Sequence, residues 1–233
     1  CFLDVIKVTS AIPKEWKDRM KDKSTQDSEP SIKEWFTKSP NKMTYKYLLK
    51  KNNILNPAIT TQEKWEEKLQ NRNITWKKIY LNTRKLTVNT RHICFQYKLI
   101  SRIIYFNKGL FEMKIPNVSS PICDLCKEEL DTIEHGLYDC VVVKEFLKQC
   151  SSLLKEDIPK RDSFLLGTNS QPEDILLHLK QKTYIYKCKM KKNRPNMTEW
   201  RNYATNDELI ESTCAKNKTH DILWTKLRMY TKK

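Results

Sequence analysis

Within eighteen residues the chain places Cys123, Cys126, His135 and Cys140 at the spacing C-x2-C-x8-H-x4-C. Two cysteines separated by two residues form a tight sulfur claw. A histidine and a third cysteine about one helical turn apart can then close a tetrahedron around one soft divalent ion. Three sulfurs and one imidazole nitrogen form a zinc set, and a shell of four leaves no open position, so the ion expected is a single structural Zn2+. The competing readings are four unrelated side chains or halves of disulfides. Against them, three of eight cysteines and one of four histidines share this one window.

The rest of the composition points to helices. The 233 residues include only three glycines against nine prolines, and Lys, Glu, Leu and Ile are abundant. That balance favours helices joined by polar turns over tight hairpins. The expected fold is mainly α: a small helical domain with the CCHC zinc site, an irregular N-terminal segment and a helical C-terminal tail. The segments read as 1–60 (linker-like), 61–150 (helical, with the zinc module) and 151–233 (basic and helical). No run of eighteen apolar residues occurs, so no membrane partner is expected. The first residues resemble neither a signal nor a transit peptide and lack Met, so the chain is expected to be cut from something longer. Eight cysteines and the sequons at Asn73, Asn117, Asn196 and Asn217 would fit a secreted disulfide protein. The metal spacing argues instead for a reducing compartment, with Cys94, Cys150, Cys188 and Cys214 as free thiols.

Net charge is +16, with 44 Lys and Arg against 28 Asp and Glu, which makes a polyanion the default partner. Residues 68–111 hold ten Lys or Arg and no acid. Across 90–105, Ile93, Ile100 and Ile104 share one arc with Tyr97 beside them, while Arg91, Lys98 and Arg102 gather opposite. This predicts an amphipathic helix, capped by Asn89 or Thr90, with a basic face suited to phosphate. Lys108 follows in the next turn. Residues 180–201 carry eight basic residues and one acid, interleaved with Tyr184, Tyr186 and Trp200. Ile175, Leu176, Leu179, Thr183 and Tyr186 recur at helical spacing and predict a core stripe. Tyr184 lies off it and becomes the candidate for stacking on bases, with Lys187, Lys189, Lys191 and Lys192 as phosphate contacts.

Other signals place the elements. A Pro-started turn with Trp16, a polar tract over 21–31 and a short helix over 43–51 are expected near the start. Thr60-Thr61-Gln62-Glu63 is a capping-box pattern, and a helix from Thr75 should turn Trp76, Ile79, Tyr80 and Thr83 inward. After a turn at 106–109, an apolar edge runs through Leu110, Phe111, Met113 and Ile115 to Pro116. Asp131 or Thr132 should cap a helix carrying His135 and Cys140 onward through Val142, Val143 and Phe146. A further helix should start near Pro172 and reach about Lys191. Trp200, Leu209, Ile222, Trp224 and Leu227 supply apolar anchors beyond it.

In order along the chain, Trp76-Lys77-Lys78-Ile79-Tyr80, the run from Phe95 to Ile104, and Asn107-Lys108 precede Cys123-Asp124-Leu125-Cys126 with Glu128-Glu129. Thr132-Ile133-Glu134-His135-Gly136-Leu137-Tyr138-Asp139-Cys140 and Ile185-Tyr186-Lys187-Cys188-Lys189 follow. This combination resembles the C-terminal part of the reverse transcriptase polyprotein of non-LTR (LINE-type) retrotransposons. The resemblance implies a zinc-binding region that follows the polymerase's fingers, palm and thumb, with residues 1–60 as a linker or the end of the thumb, and that supports target-primed reverse transcription by binding RNA or DNA. Its ligands carry over onto Cys123, Cys126, His135 and Cys140, and its partners are nucleic acid and the reverse transcriptase core. It also implies a ribonucleoprotein of nucleus and cytoplasm that is not secreted. The middle interval of eight differs from the four of retroviral zinc knuckles.

Catalysis does not carry over. No Tyr/Phe-x-Asp-Asp motif occurs to hold the paired ions of phosphoryl transfer. Where some relatives place a Pro-Asp nuclease motif, this chain has Arg194-Pro195-Asn196, without the acid. The expectation is a non-catalytic nucleic-acid-binding fragment. The alternative is a zinc-stabilised module that docks on the polymerase or a host protein.

Overall fold

The computed structural model describes residues 57–214 and 224–231. Contacts divide the chain into two units, residues 1–55 and 56–233, and the described residues all belong to the second. The expectations for Trp16, the tract over 21–31, the helix over 43–51 and Ile222 lie outside the described residues.

Nine α-helices occur among the described residues: α1 Pro57–Leu69, α2 Trp76–Lys85, α3 Thr90–Ile100, α4 Asn107–Glu112, α5 Val141–Leu154, α6 Arg161–Leu166, α7 Pro172–Met190, α8 Met197–Cys214 and α9 Thr225–Thr231. A π-helical turn, His135–Asp139, precedes α5. No strand is present among these residues; one isolated antiparallel bridge joins Ile122 and Leu130. The mainly α expectation holds. None of these helices is long and apolar enough to cross a membrane.

α7 runs through the middle. It packs against α3, the π-turn, α6, α8 and α9, and from Leu176 to Ile185 every residue is buried or half-buried. A helix enclosed all round is ordinarily apolar all round. This one instead buries Lys180, Lys182 and Lys189, at 0%, 1% and 5% exposure. One apolar core, from Trp65 of α1 to Tyr230 of α9, spans both 61–150 and 151–233, so the two segments share an interior.

Several boundaries differ from the sequence reading. α1 starts at Pro57, so the Thr60–Glu63 pattern lies inside it; proline at a helix start gives up only an N–H that lacks a partner there. α3 is capped as expected, Asn89 accepting from the Arg91 N–H at 3.0 Å, but it ends at Ile100. Its buried face is His92, Phe95, Gln96, Leu99 and Ile100, while Ile93 and Tyr97 are half-buried. The carboxyl end closes in a paired-hydrogen-bond motif: Ile103 N–H donates to Lys98 O and Arg102 N–H to Leu99 O, both at 2.9 Å. Arg102 occupies the left-handed position of that motif, φ 53°. The apolar edge over 110–115 is the helix α4 and the turn after it, with Phe111, Met113 and Ile115 more than two-fifths exposed. Leu209, expected as an anchor, is 65% exposed, whereas Trp200, Trp224 and Leu227 are buried.

Candidate metal centre

The first ligand pair sits in a turn closed on itself. Cys123 N–H donates to Glu129 O at 2.8 Å, Asp131 N–H to Pro121 O at 2.9 Å and Lys127 N–H to Cys123 O at 2.9 Å. Lys127, at φ 64°, reverses the chain just after Cys126, so both cysteines project from one tight loop.

The second pair depends on the π-turn. Successive residues of an α-helix are about 100° apart, so side chains five positions apart would diverge by about 140°. Here the Cys140 N–H reaches back five residues to His135 O at 2.9 Å, and the wider turn brings Cys140 round toward His135. Thr132 begins the segment, its hydroxyl accepting from the His135 N–H at 3.1 Å. Cys140 is not inside a continuous helix as expected. It is the N-cap of α5, at φ −55° and ψ 130°, where the N–H groups of Val142 and Val143 favour its thiolate.

The ligand atoms of Cys123, Cys126, His135 and Cys140 lie within 4.8 Å of one another and could hold a metal ion. Cys123 Sγ is 3.8 Å from Cys140 Sγ, and Cys126 Sγ is 3.4 Å from His135 Nε2. A disulfide would need the sulfurs at about 2.0 Å; Cys123, Cys126 and Cys140 are free, as are Cys94, Cys150 and Cys188. Cys123 and Cys140 are fully buried and Cys126 is half-buried. The hydrogen bond from Cys140 brings the Cys123 thiol down to about 2 against the opposing effect of burial, and His135 and Lys189 pull the same way. The same bond pushes the Cys140 thiol up. Bonding to Cys123 raises His135 to about 9. Metal loading would therefore displace protons from the set.

The surroundings orient the ligands. His135 Nδ1 lies 3.2 Å from Glu129 Oε2, at hydrogen-bond distance but without hydrogen-bond alignment. Glu129 is 72% exposed, so a small swing of its side chain would give the imidazole the carboxylate partner a ligating histidine normally has. Glu134, the residue before His135, is buried and paired with Arg102 at 2.6 Å. Burial would raise its carboxyl, but the guanidinium outweighs burial and holds it below the usual range. Arg102 also lies 4.5 Å above the Trp65 ring, so it clamps α1 and the end of α3 to the metal lobe. Lys189 reaches in from α7, 3.1 Å from Cys123 Sγ and bonded to Asp131.

These contacts revise the expected nucleic-acid residues. Arg102 is a structural clamp. Lys189 is buried between Asp131 and Cys123. Tyr184 is 3% exposed, its ring against Phe146, Trp200 and Tyr203 and its hydroxyl donating to Asn196 O at 3.0 Å. No base can stack on it. Tyr186 lies between Phe95 and Phe106, as the core stripe implied. Arg91 and Lys98, seven residues apart and so on one face of α3, are exposed. Lys187, Lys191 and Lys192 are also exposed, Lys187 over the Tyr203 ring and Lys192 3.8 Å from Asp124. Lys108 is partly exposed, 3.9 Å from Glu112. Of the ten cations in 68–111, Lys68, Arg72, Lys77, Lys78, Arg84, Lys85, Arg91 and Lys98 are exposed.

A second group, His92, Asp207 and Glu211, also comes within 4.8 Å. Here the Lys180 ammonium already lies between the carboxylates, 2.5 Å from Asp207 and bonded to Glu211. His92 Nε2 is 3.0 Å from Asp207 and its Nδ1 3.1 Å from Thr183 Oγ1. This cluster joins α3, α7 and α8 as a buried ionic knot.

No protein-family model, curated protein or solved structure matches this chain.

Proposed function

We propose that this chain is a zinc-stabilised, non-catalytic nucleic-acid-binding part of a LINE-type reverse transcriptase polyprotein. The observation that carries the reading is the convergence of three sulfurs and one imidazole nitrogen from separate turns. An ion about 2.3 Å from each sulfur and about 2.05 Å from nitrogen sets tetrahedral S···S and S···N edges of about 3.8 and 3.6 Å. The separations of 3.8 and 3.4 Å fit that figure. A four-donor shell rich in thiolate selects zinc and gives it a structural role.

α2 and α3 contain no acidic residue, and their exposed Lys77, Lys78, Arg84, Lys85, Arg91 and Lys98 support RNA or DNA as partner. Cations spaced along helices bind phosphates without reading sequence. In the parent ribonucleoprotein, moving between cytoplasm and nucleus, this surface would hold template or target beside the reverse transcriptase core during target-primed synthesis.

The test is a titration of the 233-residue chain with short RNA and DNA across a salt series. Binding that weakens steeply with salt, together with one zinc per chain, is expected. Absence of binding at low salt would overturn the nucleic-acid reading. The exposed Ile103, Tyr105, Phe111, Met113 and Ile115 beside the metal lobe favour a second reading, a docking module for the polymerase or a host protein. A complex that survives nuclease and is indifferent to charge reversal at Lys98 would select it.

A further inference from the structure

We propose that Lys189 is a positioning residue of the metal centre, and that loading the ion and seating the central helix α7 are one coupled event. The inference rests on the metal reading above and goes beyond it, because Lys189 stands sixty-six residues from the sulfur it meets. Its ammonium donates to Cys123 Sγ at 3.1 Å and to Asp131 Oδ1, and it lies 5.4 Å from the Phe106 ring centroid. The side chain is 2% exposed. A lysine on a helix normally extends its amine to water, and its neighbours Lys187, Lys191 and Lys192 are exposed. Lys189 is directed inward instead.

Charge supplies the reason. Three thiolates around a divalent ion leave one net negative charge, and charge in an enclosed site costs several kcal/mol unless a partner meets it. Lys189 places its positive charge against Cys123, a fully buried sulfur. Asp131 holds the amine in place and is itself fixed, accepting from the Asn107 N–H at 3.3 Å. Asn107 Nδ2 in turn donates to Ile122 O at 2.9 Å, beside the first ligand. The hydrogen bond also draws electron density from the sulfur, which orders the ligand and blunts its reactivity. Because α7 packs on α3, α6, α8 and α9 as well as on the π-turn, movement of Lys189 reaches most of the helical unit.

Three chains test this: wild type, K189M, and the double variant D131N/K189M, which leaves no orphaned buried carboxylate. Zinc affinity is measured by competition with a chromophoric chelator, and each protein is also loaded with Co2+ as a spectroscopic probe. Both variants should lose affinity by about 10- to 100-fold, the usual effect of removing a partner of a metal ligand. The sulfur-to-cobalt charge-transfer band should move to longer wavelength, a change a purely structural lysine would not produce. Chelating the ion from wild type should raise hydrogen exchange along α7, and the double variant should show a smaller metal-dependent difference. One ion per chain in all three proteins with equal affinity and an unmoved band would overturn this inference and leave the metal reading standing. A wild type that takes up no ion would overturn both.

Discussion

Gly136 stands next to His135, where a Cβ would lie 2.5 Å from two carbons of the Phe106 ring and 3.1 Å from Asp131 Oδ1. Phe106 is 1% exposed and has nowhere to retreat. G136A should therefore destabilise the metal-loaded protein by about 1–3 kcal/mol, measurable by urea unfolding. Lys182 is the opposite case, a buried residue that costs stability. Its amine donates to Gln96 Oε1 at 3.0 Å and to Leu165 O at 2.7 Å, both uncharged acceptors, and burial brings its pKa from 10.5 to about 7. Between those values the unfolded chain binds more protons than the folded one, so stability rises with pH through the window and is lowest below it. K182M should raise stability at pH 7 by about 1–4 kcal/mol and flatten that rise. Melting curves at pH 6, 8 and 10 would show both effects, and an unchanged slope would refute the account.

At the level of elements, the scarcity of glycine shapes how helices end. Arg102, Lys114, Lys155 and Lys192 all take left-handed backbone angles, which cost a side-chain-bearing residue about 1 kcal/mol. Lys155 is exposed and closes α5, with Glu156 N–H donating to Ser151 O at 3.1 Å, a backbone bond that a glycine there would keep. K155G should gain about 0.5–1 kcal/mol, visible as a higher midpoint with unchanged metal content. At Arg102 the buried pair with Glu134 offsets the backbone cost. R102A should cost about 3 kcal/mol by stranding that carboxylate. The R91E/K98E double variant, on exposed residues of the same helix, should leave the melting temperature unchanged. It should lower nucleic-acid affinity and reduce the log–log salt slope by about 2. Helical periodicity foretold α2, α3 and α7 because their apolar spacing is local. It placed Arg102 on the basic face because the paired bonds that end α3 at Ile100 leave no mark in a hydrophobic pattern.

For the molecule as a whole, the candidate metal centre joins elements that share one core. Raising free zinc from far below to about a thousandfold above its dissociation constant should stabilise the unit by about 4 kcal/mol, or about 10 °C in melting temperature. A chelated sample that melts at the loaded temperature would refute this. That Cys123, Cys126, His135 and Cys140 come together was legible in the sequence, because a metal-binding set demands particular atoms at short separations and eighteen residues contain them all. The acid-free run over 68–111 was legible too, since cations without acidic neighbours have reason to remain in solvent, and eight of its ten do. The second basic stretch misled for the same kind of reason. Lys180, Lys182 and Lys189 carry the same chemistry as Lys187 and Lys191, and only the packing of α7 against five other elements separates them. Their partners, Asp207, Glu211, Gln96 and Asp131, lie from 27 to 86 residues away. A linear pattern can announce a candidate ligand set, but which charges leave water is decided by enclosure and by partners that meet only when the chain has folded.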